Sequence, residues 1–105
     1  MNNNFSVLVL EVYAKAALPV LESCKCAGLY VIAGSYKKHC SGMHSKAVDE
    51  KLIYPSVESA QDECLALLLD YVKNNAIEVL IPVGDIMTDL IAKYQDEFRK
   101  YTKLL

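Results

Sequence analysis

The segment Leu80-Ile81-Pro82-Val83-Gly84-Asp85 constrains this chain most: an apolar run that stops at a proline, a glycine and an acid. A second apolar run, Phe5 to Leu10, stops as abruptly at Glu11. Short apolar runs with helical patterns between them are the signature of parallel strands buried on both faces. In an open sheet of that kind the ligand crevice lies beyond the carboxyl ends of the strands. The pattern therefore puts Glu11, Gly84 and Asp85 on the functional edge of the domain.

The intervening residues fill in the alternation. Ala17, Val20, Leu21 and Cys24 recur at i, i+3, i+4 and i+7, the stripe of a half-buried helix beginning around Ala16 to Leu18. Pro19 fits its first turn, and Gly28 is placed to end it in a left-handed conformation. Leu29 to Ala33 reads as the second strand. From Gly34 to Asp49 the pattern weakens, with room for one short helix near Ser41 to Lys46. Lys51 to Tyr54 is a third strand stopped by Pro55. The longest helix follows, about Ser59 to Asn74, with Leu65, Leu68, Leu69 and Val72 as its stripe and Cys64, Leu67 and Tyr71 widening it. Ile77 to Ile81 is the fourth strand. Asp85 is suited to cap the next helix, whose apolar positions are Met87, Leu90, Ile91, Tyr94 and Phe98. The charged tail from Gln95 to Leu105 reads as a further helical turn or a frayed end. At 105 residues the chain makes one domain, residues 1–105.

Composition removes several classes of partner. A net charge of −2 gives no reason to expect nucleic acid or an anionic membrane. No apolar run approaches the roughly 20 residues needed to cross a bilayer. The Met-Asn-Asn-Asn start lacks the features of a signal peptide, so a cytoplasmic protein with reduced thiols is expected. Cys24 and Cys26, two apart in a helical pattern, do not share a face. His39, Cys40 and His44 give at most half of a zinc set, and the other half is missing. No metal site is expected.

The familiar catalytic and cofactor motifs are missing too. The loop after the first strand, Glu11-Val12-Tyr13-Ala14-Lys15-Ala16, holds no glycine, so no dinucleotide fingerprint is present. Nothing matches the P-loop. Tyr54-Pro55 ends strand three where a phosphoacceptor receiver would carry an aspartate. Neither histidine has an evident acid partner, and no serine sits in a nucleophile elbow. No residue is assigned a catalytic role.

What remains is an order of pieces: Gly28 before strand two, Ser45 in the connection, Tyr54-Pro55 closing strand three, then Val79 to Asp85 leading into a helix with Leu90. This order resembles the amino-terminal, Rossmann-like domain that precedes the ATP-grasp fold in carboxylate–amine ligases, including the carbamoyl-phosphate synthase and biotin carboxylase relatives. The resemblance runs from Phe5 to about Tyr94. It implies a three-layer α/β sandwich whose four-stranded parallel sheet has the order 3-2-1-4, strand four lying beside strand one. It implies a substrate-side domain of an ATP-dependent carboxylate–amine or carboxylate–thiol ligase, not catalytic alone, with Glu11, Gly84 and Asp85 at the substrate mouth. The substrate would be a small-molecule carboxylate or amine. ATP and magnesium would bind in ATP-grasp lobes of the same parent chain, with no cofactor in residues 1–105, and a homodimer stays open. The chain departs from the family in placing Glu11-Val12-Tyr13 where glycine is frequent.

Plainer readings stand beside these. Asp85 serves as a helix cap, a substrate contact or both, since one oxygen can cap while the other faces a ligand. Glu11 is either a solvated acid or a crevice acid. Ser45 forms a local turn or touches ligand, and Lys37-Lys38 is a solvated pair or an anion attractor. A stand-alone Rossmann-like small-molecule-binding or protein-interaction module is the alternative to the ligase reading.

Overall fold

The computed structural model describes residues 5–104. Strand β1 (Ser6–Leu10) enters the centre of a parallel sheet, and helix α1 (Ala17–Cys26) returns the chain to β2 (Tyr30–Ser35). A 3-10 turn (Ser41–His44) precedes β3 (Glu50–Ile53). Helix α2 (Val57–Asn74) crosses back to β4 (Val79–Pro82) on the other side of β1, and α3 (Asp85–Lys93) and α4 (Gln95–Phe98) lead to β5 (Lys103–Leu104). The strand order is 3-2-1-4-5 and every pairing is parallel.

Alternation along β1 builds the three layers. Leu8 and Leu10 face a core with Cys64, Leu68 and Val72 of α2, Met87, Leu90 and Ile91 of α3, and Phe98 of α4. Val7 and Val9 face the opposite core, with Ala17, Leu21 and Cys24 of α1 and Met43 of the 3-10 turn. Val7, Leu8, Val9 and Leu10 are all fully buried or nearly so, which is why this stretch of β1 is continuously apolar rather than alternating. The edge strand β3 is exposed, and Glu50 braces it by accepting from the Tyr30 and Tyr71 hydroxyls at 2.9 and 2.6 Å. Asp49 joins the same edge to α1 by pairing with Lys25, and it also accepts the Val31 N–H at 2.8 Å.

Four expectations change. The single helix expected to carry Met87, Leu90, Ile91, Tyr94 and Phe98 is broken at Tyr94 (φ −115°, ψ 27°) into α3 and α4. The sheet has five strands, not four. The tail Gln95 to Leu105 holds α4 and β5 within its described part, with Lys103 N–H donating to the Glu78 carbonyl at 3.0 Å. A two-residue strand is too short to show periodicity, and its position depends on the free edge that β4 offers. Helix α2 begins at Val57 rather than Ser59, and Ala60 (φ −150°, ψ 57°) interrupts its first turns. Its most buried line is Cys64, Leu68 and Val72, with Leu65, Leu67, Leu69 and Tyr71 half-buried around it. Asp85 does not cap α3. Gly84 takes the capping position with φ 88° and ψ 157°, and no side chain bonds the first turn. The helix starts one residue earlier than a cap at Asp85 implies, because glycine reaches this backbone conformation without steric cost.

Glycine decides one further packing contact. At Gly42 a Cβ would lie 2.2 Å from the carbonyl oxygen of Val12 and 2.6 Å from its Cβ. The 3-10 turn is thus pressed directly on the loop that follows β1. Gly28 ends α1 at φ 82°, as its position after the stripe implies.

Candidate functional site

At the carboxyl end of β1 the chain turns sharply. Glu11 has φ 62°, in the left-handed region, which costs an ordinary residue about 1–2 kcal/mol. The turn is held from both sides. Val12 N–H donates to the Gly34 carbonyl at 3.1 Å, and Ala14 N–H donates back to the Glu11 carbonyl at 3.1 Å. Glu11 N–H donates to the hydroxyl oxygen of Tyr54 at 2.9 Å.

The Glu11 side chain folds into the same place. Its residue is only 3% exposed, which overturns the solvated-acid alternative. Tyr54 donates its hydroxyl proton to Glu11 Oε2 at 2.5 Å, and Tyr13 donates to Oε1 at 3.3 Å. Burial pushes the Glu11 carboxyl above the ordinary glutamate range, the two tyrosine bonds oppose that rise, and the nearby Glu58 charge adds to it. The Tyr54 phenol is pushed up by burial first and by its bond to Glu11 second. Cys64, buried, is pushed up to about 11 by desolvation with a contribution from Glu11, so it stays a thiol and packs as a small hydrophobe.

Gly34 of β2 makes this arrangement possible. A Cβ there would meet Tyr54 Cε2 at 3.0 Å and Leu10 Cδ2 at 3.1 Å. The bare backbone gives the Tyr54 ring its seat across the strand. Beyond β2, the Tyr36 ring meets Tyr13 edge-on, centroids 5.2 Å apart, and the Lys37 ammonium lies 5.1 Å from the Tyr13 centroid, within cation–π range.

From β4, Val83 N–H donates to the Leu10 carbonyl at 3.2 Å, so the two strand ends reach the edge side by side. Gly84 and Asp85 are exposed there. A hollow of about 260 Å³ opens between the two loops, bounded by Glu11, Tyr13, Gly84, Asp85 and Ile86 over buried Met87. All three residues that the pattern assigned to this edge share it. Asp85 lies in the first turn of α3, whose unpaired N–H groups and dipole favour an anionic group, while the two carboxyls favour a donor such as an amine.

The remaining candidates lie elsewhere or act locally. Ser45 accepts the Ala47 N–H at 3.1 Å and forms a turn. The His39 and His44 rings lie parallel, 6.0 Å apart, and no group of three metal-binding side chains occurs among the described residues. A second hollow of about 240 Å³ opens at the amino end of the sheet beside Phe5, Val7, Leu29 and Val79. It is almost wholly apolar, and its carboxylate, Glu78, already accepts the Ser6 N–H at 2.7 Å. The polar chemistry is therefore at the carboxyl edge. No described helix is long and apolar enough to cross a membrane.

Sequence reasoning passed over Tyr54 as a mere strand terminator. The available signal was Gly34, because an isolated glycine in a strand often marks the close approach of another group.

No protein-family model matches the chain, and no curated protein matches it. Among solved structures it is similar to glycinamide-RNase-transformylase T from Mycobacterium tuberculosis, with a TM-score of 0.62 and 15% sequence identity. The likeness covers 93% of this chain and 25% of that one, so the chain spans about a quarter of the enzyme's length. It does not single out the carbamoyl-phosphate synthase or biotin carboxylase relatives named by the sequence resemblance. What is shared is the fold, a mixed α/β domain around a parallel sheet.

Proposed function

We propose that this chain is the substrate-side, amino-terminal domain of an ATP-dependent carboxylate–amine or carboxylate–thiol ligase and performs no ligation alone. The observation that carries the reading is the meeting of Glu11 with Gly84 and Asp85 around one hollow at the carboxyl edge of a parallel sheet. A crevice at that edge is where open α/β sheets bind ligands. The fold neighbour, an ATP-grasp enzyme, supports a ligase-related setting. In this reading the hollow receives a small-molecule carboxylate or amine, and ATP with magnesium binds in lobes beyond residue 105. A relation to carbamoyl-phosphate synthase or biotin carboxylase is the finer form of the same proposal.

Two measurements test it. Isothermal titration of the isolated chain with Mg-ATP should show no tight binding, since the chain has no phosphate-cradling loop. The native reading frame should continue past Leu105 into ATP-grasp lobes. Tight stoichiometric nucleotide binding by these residues alone, or a stop codon directly after Leu105 with no ligase subunit to receive the domain, overturns the reading. The second result returns the chain to the class of stand-alone binding modules.

A further inference from the structure

We infer that Tyr54 is the positioning residue of this site: it anchors Glu11 by Oε2 and by the backbone, leaving Oε1 as the oxygen that meets a ligand donor in place of the Tyr13 hydroxyl. The inference rests on the reading of this edge as a substrate mouth, and its first support is the inequality of the two tyrosine bonds. Tyr54 holds Oε2 at 2.5 Å, whereas Tyr13 reaches Oε1 at 3.3 Å, beyond the usual range for a hydroxyl donor. The same Tyr54 hydroxyl accepts the Glu11 N–H at 2.9 Å. One oxygen atom therefore clamps both the backbone and the side chain of a residue held at a positive φ.

The two tyrosines also differ in where they stand. Tyr54 is 3% exposed, seated against the bare backbone of Gly34, and does not border the hollow. Tyr13 is half-buried, lies on the loop after β1 and borders the hollow beside Glu11. A buried anchor and a loop-borne partner on the two oxygens of one carboxyl make an acceptor that is fixed in direction, held closely at Oε2 and loosely at Oε1. The group that fits is a hydrogen-bond donor, an amine or a hydroxyl. A fixed acceptor of this kind spares the ligand the cost of ordering it.

Carbon-13 carboxyl NMR on the full chain tests this without any ligand, with the Glu11 signal assigned by its loss in Glu11→Gln. Tyr54→Phe keeps the ring and removes the hydroxyl, so the Glu11 titration midpoint should move upward while the folded spectrum is retained. Tyr13→Phe should move the midpoint in the same direction by a smaller amount. An unchanged midpoint in Tyr54→Phe, or a larger shift in Tyr13→Phe, overturns the assignment. If Tyr54→Phe does not fold, a crystal structure of the unsubstituted chain decides. Tyr54 Oη within hydrogen-bond distance of both Glu11 N and Oε2 sustains the anchor, and its absence from either removes it. These outcomes are independent of the ligase reading. A reading frame without ATP-grasp lobes would leave the NMR shifts in place, whereas a failed anchor would remove them from a genuine ligase.

Discussion

Gly42→Ala should be the most damaging single-methyl change in this chain. The added Cβ would fall 2.2 Å from the Val12 carbonyl oxygen and 2.9 Å from its carbonyl carbon, so the obstacle is backbone and cannot rotate away. Val12 cannot retreat easily: it is fully buried, and its N–H is bonded to the Gly34 carbonyl at 3.1 Å. Overpacking of a tight interior typically costs 1–3 kcal/mol, and a backbone obstacle puts this case at about 3 kcal/mol. For a domain of this size that corresponds to a fall in Tm of roughly 12–24 °C. Gly28→Ala supplies the control. Its Cβ meets nothing within 4 Å, but φ is 82°, so only the left-handed penalty of about 1–2 kcal/mol applies. Urea denaturation followed by circular dichroism gives both values from midpoints and slopes. Gly42→Ala within about 0.5 kcal/mol of the parent would refute the close approach of the 3-10 turn to the β1 loop. Because Val12 follows Glu11, the same variant should also disturb the Glu11 carboxyl signal, whereas Gly28→Ala should not.

The other perturbations read separate parts of the molecule. Leu68→Ala removes a fully buried side chain from the α2 face and should cost on the order of 2–5 kcal/mol, against at most about 1 kcal/mol for Lys37→Ala, whose exposed ammonium faces only the Tyr13 and Tyr36 rings. Equal urea midpoints for the two would show the α2 face to be misassigned. Glu11→Gln tests linkage. With its folded-state pKa raised, Glu11 favours the folded state most below its unfolded value near 4.5, and that advantage disappears as pH rises through the folded value. The stability of Glu11→Gln relative to the parent should therefore increase from pH 4 to pH 7, and a flat difference would deny the burial of the charge. Asp85→Asn should leave Tm nearly unchanged, since Asp85 makes no capping bond, and under the proposed ligase function it should raise the KM of the longer enzyme. Unchanged kinetics would confine Asp85 to a structural place.

The alternation of buried strands and helices was legible in the chain because it is local. Phe5 to Leu10 and Val79 to Pro82 are apolar at every position needed to bury both faces, and each helical stripe repeats within a few turns. The edge assignment of Glu11, Gly84 and Asp85 followed from where those runs stop. The placement of strand four beside strand one came from the family resemblance, since no local pattern specifies which strands become neighbours. Tertiary structure alone decided the rest. Strand β5 exists because β4 leaves an open edge, and two residues carry no periodic signal of their own. Gly84 rather than Asp85 takes the capping position of α3, at a corner where the backbone has a positive φ. The burial of Glu11 depends on Tyr54, 43 positions away, and on the missing side chain of Gly34 that lets the ring lie across β2. Sequence patterns report each segment's own demand for burial, but a hydroxyl's partner is set by which strands end side by side, and that is fixed only when the sheet has formed.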